Sequence, residues 1–134
     1  MGNIESDNNR YKSAIKYYNE SLIIKPNNKI LNNKGNALVF IGKYKEAKKC
    51  YDASISIDEN FELPWINKIN LLERLNDYEE IQKLINVAIK KFNKNKNIKY
   101  DLYMRKAEIL IKLGNYDEAD KLLENVISEC RKNE

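Results

Sequence analysis

The stretch Gly35–Ile57 reads GNALVFIGKYKEAKKCYDASISI. An apolar run with helical spacing ends at Gly42, the chain turns, and a second helical run opens at Tyr44. The turn recurs as Leu-Asn-Asp-Tyr-Glu-Glu-Ile at 75–81 and Leu-Gly-Asn-Tyr-Asp-Glu-Ala at 113–119, with a shortened copy, Asn-Arg-Tyr-Lys-Ser-Ala, at 9–14. With the turn tyrosine as a ruler, Tyr11, Tyr44, Tyr78 and Tyr116 stand 33, 34 and 38 residues apart. A period of this size marks stacked helix pairs. One amphipathic pair cannot bury its own core and needs a neighbour on each side.

The second copy has Leu31, Gly35 and Leu38 in its first helix, over 29–41. Its second helix, over 44–57, carries Ala47, Tyr51 and Ser54. The third opens with Pro64 and Trp65, runs to about Leu75, and resumes from Tyr78 to Phe92. The fourth has Tyr103, Ala107 and Leu110, then Tyr116, Ala119, Leu123 and Val126. The first is half a copy, 11–25, with Ala14, Tyr18 and Ser21, stopped by Pro26. Asp77 with Glu80 and Asn115 with Glu118 fit a capping box, and Lys43 with Glu46, at the same spacing, lacks a full one.

This pattern resembles the tetratricopeptide repeat. The resemblance implies an all-α, right-handed α-solenoid of antiparallel helix pairs: three repeats after a leading half repeat, seven helices, in one domain. The divisions would be a polar tail at 1–10, then 11–28, 29–61, 62–97 and 98–134, with a longer parent array left open. In the third repeat Ile69 stands where the family has Gly, and Ile81 where it has Ala. Two branched side chains in that space are expected to hold the pair apart. The connection 93–97, Asn-Lys-Asn-Lys-Asn, is expected to be a polar loop that absorbs four extra residues.

Composition narrows the function. The 134 residues contain no His, and each Gly is isolated, so no neutral-pH base and no phosphate-cradling loop is indicated. The expectation is no enzyme, no cofactor and no metal. Cys50 and Cys130 stand far apart without Cys-x-x-Cys spacing, which points to free thiols and a cytoplasmic setting. The net charge is +4, with lysines interspersed among 20 acidic residues, unlike the Arg-rich face of a nucleic-acid reader. No run is long and apolar enough to span a bilayer. Lys90, Lys91, Lys94, Lys96 and Lys99 form a basic run, read first as solvated. Tyr11, Tyr18, Tyr44, Tyr78 and Tyr116 are read as packing residues rather than a base-stacking platform. Met-Gly-Asn-Ile-Glu-Ser at the start fits the myristoylation pattern at Gly2.

The resemblance also implies a partner-binding groove lined by the first helices of the pairs. In register it holds Asn32, Asn33, Asn36 and Phe40, then Ile66, Asn67, Asn70 and Arg74, then Asp101, Met104, Arg105 and Glu108. The implied partner is another protein, as a peptide or a helix. The alternative is a homodimer formed through the terminal helices. One subclass of the family grips chaperone C-terminal carboxylates with a Lys/Asn/Asn/Lys/Arg clamp. Asn36, Asn67 and Arg105 match that clamp. Asn32 and Asp101 replace its two lysines, which is expected to weaken carboxylate capture.

Overall fold

A computed structural model of the chain describes residues 4–132, with side chains from Asp7 on. Seven helices make up all the regular structure among these residues: α1 (Ile4–Ile24), α2 (Asn28–Phe40), α3 (Tyr44–Ile57), α4 (Leu63–Arg74), α5 (Tyr78–Lys91), α6 (Lys96–Lys112) and α7 (Tyr116–Lys132). The all-α helical repeat read from the period is therefore present. The chain falls into two compact units, one ending at Leu75 and one beginning at Asn76. The boundary lies inside the third repeat, between the helices that carry Ile69 and Ile81. Both of those side chains are fully buried.

In the first unit α2 packs on α1 and α3, and α4 packs on both α3 and α2. Leu38, Ala47, Cys50, Tyr51 and Leu71 form the core, with Ile15, Val39, Ile41 and Tyr44 against it. Gly35 is the point of closest approach. A Cβ there would lie 2.5 Å from Cε1 of Tyr51, so only a glycine admits that ring. Beneath it the Ser54 hydroxyl donates to the Asn28 carbonyl at 2.7 Å, which satisfies a fully buried polar group. Asn27 starts α2, its Oδ1 accepting from the amides of Lys29 and Ile30. Pro64 occupies the first turn of α4, where its missing N–H costs nothing.

In the second unit α6 packs on α5 and α7. Asp77 caps α5 by accepting from the Glu80 amide at 3.3 Å, as the sequence pattern indicated. Lys43 makes no side-chain cap on α3, also as expected.

Three expectations need correction. The segment read as a polar tail at 1–10 is helical from Ile4, because no Pro or Gly interrupts the run and helix propagation is inexpensive once nucleated. The connection at 93–97 is not all loop. Asn95 accepts from the Ile98 amide and caps α6, which begins at Lys96. The extra residues thus lengthen a helix: α6 has 17 residues where α2 has 13 and α4 has 12. Tyr116, read as a packing residue, is 62% exposed. Its counterpart Tyr44 lies on α3, which α4 covers, and no described helix follows α7. The myristoylation pattern at Gly2 lies outside the described residues.

Candidate functional site

α2 and α4 are the first helices of successive pairs, and they are neighbours in the first unit. Asn32, Asn36, Val39 and Phe40 recur at three- and four-residue spacing on α2. Asn67, Asn70, Leu71 and Arg74 do the same on α4, so each set shares one helical face. Between the helices lies a cleft of about 290 Å³, lined by Asn36, Val39, Phe40, Tyr51, Asn67, Asn70, Leu71 and Arg74. Val39, Leu71 and the Tyr51 ring supply apolar surface, and the asparagines supply polar walls.

The asparagines are held by internal bonds. Asn67 donates Nδ2–H to Oδ1 of Asn32 at 2.9 Å, and Asn32 is itself buried. The Tyr51 hydroxyl donates to Oδ1 of Asn36 at 2.6 Å. Burial, with a smaller push from Cys50, raises the Tyr51 phenol to about 12, so it stays protonated as a donor. Each bond leaves one end of an amide uncommitted: the NH2 of Asn36 and the carbonyl oxygen of Asn67. No polar side-chain atom among the described buried residues lacks a partner, so both free ends reach solvent. At the rim Phe40 stacks on Tyr11 of α1, with ring centroids 4.5 Å apart.

Of the expected groove residues, Asn36, Phe40, Asn67, Asn70 and Arg74 line this cleft, and Asn32 sits beneath it. Asn33 is exposed and Ile66 half-buried on the same helices, and neither lines it. Asp101, Met104, Arg105 and Glu108 lie on α6 in the second unit. There Arg105 Nε meets Asp101 Oδ2 at 3.0 Å, one turn apart, so the cation of the carboxylate-clamp register is already paired. Sequence reasoning placed Tyr51 only as a register residue of the second helix and missed its role as anchor of Asn36. It also missed Leu71, although Leu71 stands one turn beyond Asn67 and shares its face.

The lysines of the basic run differ in their surroundings. Lys90 and Lys91 end α5, where cations suit the helix C-terminus. Lys99 pairs with Glu129 of α7 at 3.3 Å and lies 5.8 Å from the centre of the Tyr103 ring.

The tetratricopeptide repeat family matches residues 29–61, and again 1–28 and 100–133, which together make up most of the chain. The chain belongs to the tetratricopeptide repeat family. As a tetratricopeptide repeat protein it is a scaffold of the protein–protein interaction type, in a family whose members are typically non-catalytic. The stretch between the matched segments, 62–99, is the copy in which Ile69 and Ile81 take the small positions. No curated protein matches the chain. No helix among the described residues is long and apolar enough to cross a membrane.

Proposed function

We propose that this tetratricopeptide repeat protein binds an extended peptide or a helix of another protein along the first helices of its pairs, without catalysis. The observation that carries the reading is the pair of tethered amides. Asn36 offers a donor and Asn67 an acceptor, each held in one orientation by a bond inside the fold. An extended backbone presents carbonyls and N–H groups of matching character, so such a cleft can hold a peptide main chain at little ordering cost. Val39, Phe40 and Leu71 add apolar area for a side chain. The test is capture from native cell extract by the wild type and by the combined Asn36→Ala, Asn67→Ala and Arg74→Ala variant. A partner retained by the first and lost by the second supports the cleft. Equal capture by both moves the working surface elsewhere.

A second reading, self-association, rests on α1. Tyr17, Ile23 and Ile24 are 65%, 85% and 87% exposed there, on a helix that packs on α2. Exposed apolar side chains of this size favour burial against a second copy. Sedimentation that stays monomeric over a wide concentration range removes this reading. A dimer abolished by Ile24→Glu supports it.

A further inference from the structure

Arg74 is the one charged side chain lining the α2–α4 cleft. It is exposed in the last turn of α4 and has no ion pair or hydrogen bond among the described residues. No acidic side chain lines the cleft with it, while Val39, Phe40 and Leu71 lie in the same lining. Arg105, the arginine of the clamp register on α6, is by contrast already spent on Asp101. An uncommitted guanidinium beside apolar surface, with tethered amides alongside, is complementary to a carboxylate carried next to an apolar side chain.

We propose that the α2–α4 cleft takes an extended peptide whose acidic side chain pairs with Arg74 and whose neighbouring apolar side chain packs on Val39, Phe40 and Leu71. The proposal rests on the peptide-binding reading above and adds the chemistry of the ligand. Asn36 and Asn67 hold the main chain in this arrangement and are indifferent to side chains. Arg74 selects. An arginine in the last turn also complements the helix dipole, but that role acts on helix stability and does not discriminate between ligands.

The experiment titrates short dye-labelled peptides, amidated at the C-terminus, against the full chain by fluorescence anisotropy. Each carries one Leu, with Glu, Gln or Lys placed one, two or three residues away on either side. The expected result is that at one spacing the Glu peptide binds roughly ten-fold tighter than the Gln peptide, and the Lys peptide weakest. The preference should shrink with added salt. Arg74→Gln should erase it while circular dichroism stays unchanged, and Arg74→Glu should turn it toward Lys. Asn36→Ala and Asn67→Ala should weaken every peptide and leave the Glu-to-Gln ratio in place.

Equal binding of Glu and Gln peptides by the wild type would overturn the role of Arg74 and leave the peptide cleft standing. So would a Glu preference that survives Arg74→Gln. Binding gained only with a free C-terminal carboxylate would put a chain end, not a side chain, on Arg74, and would overturn the proposal too. No binding of any peptide at millimolar concentration would overturn both the cleft and its ligand. A wild-type dimer that Arg74→Glu dissociates would assign the cleft to a second copy of this chain and overturn the peptide.

Discussion

A methyl group at position 35 would lie within 3.0 Å of three atoms of the Tyr51 ring. That ring cannot swing clear, because it is 1% exposed and its hydroxyl is bonded to Asn36. Intrinsic helix propensity favours Ala over Gly by about 1 kcal/mol, so propensity and packing predict opposite signs for Gly35→Ala. Packing should win, with a loss of about 1–3 kcal/mol in urea unfolding. A smaller loss when Tyr51→Leu is already present would confirm the coupling. Tyr51 also predicts a pH effect. Its phenol is raised from 10.0 to about 12 by burial. Below about pH 10 both folded and unfolded chains keep that proton and the stabilisation is whole. Between about 10 and 12 only the unfolded chain gives it up, so stability falls as pH rises. The fall in unfolding free energy over this window should be steeper in the wild type than in Tyr51→Phe.

At the level of the elements, the turns between paired helices share one device. Gly42 and Gly114 have φ of 81° and 82°. In each turn the next residue's amide reaches back five positions, Lys43 to Leu38 and Asn115 to Leu110, to satisfy a terminal carbonyl. The middle turn has Asn76 instead, at φ 58°. Asparagine tolerates the left-handed region better than other side chains but still carries a cost that glycine does not. Asn76→Gly should therefore raise stability by up to about 1 kcal/mol, less the exposed bond from the Tyr78 hydroxyl. A thermal midpoint that drops would show that this bond outweighs the backbone term.

For the whole molecule, the division at Leu75–Asn76 places the only tryptophan, Trp65, in the first unit. Its indole N–H donates to the Glu59 carbonyl at 3.1 Å and the side chain is buried, so its emission reports that unit. Far-UV circular dichroism reports all seven helices. Repeat arrays lose strict cooperativity where the interface between neighbours is weaker than the units themselves. The second unit contains α7, of which only Ala119 and Val126 are buried. The expected outcome in urea is helix loss that begins before Trp65 emission changes. Superimposable curves would mean that the chain unfolds as one block.

Much of this was legible in the sequence, because helix period, turn chemistry and repeat length are local or periodic properties. The spacing of Tyr11, Tyr44, Tyr78 and Tyr116, the prolines at 26 and 64, and the left-handed turn residues determined the seven helices found among the described residues. The face on which Asn36, Asn67, Asn70 and Arg74 fall followed from helical register and the family resemblance. Helix ends were less legible: α1 extends back to Ile4 and α6 to Lys96, since competition between capping and propagation is settled by small energies. What only the tertiary structure decided is the state of each polar group. Asn32 is buried and spent on Asn67, Asn36 is tethered to Tyr51, Arg105 is spent on Asp101, and Arg74 has no ion pair or hydrogen bond among the described residues. A residue type states which bonds a side chain can make. Which of them remain for a ligand depends on neighbours from other helices, and those are set only when the helices pack.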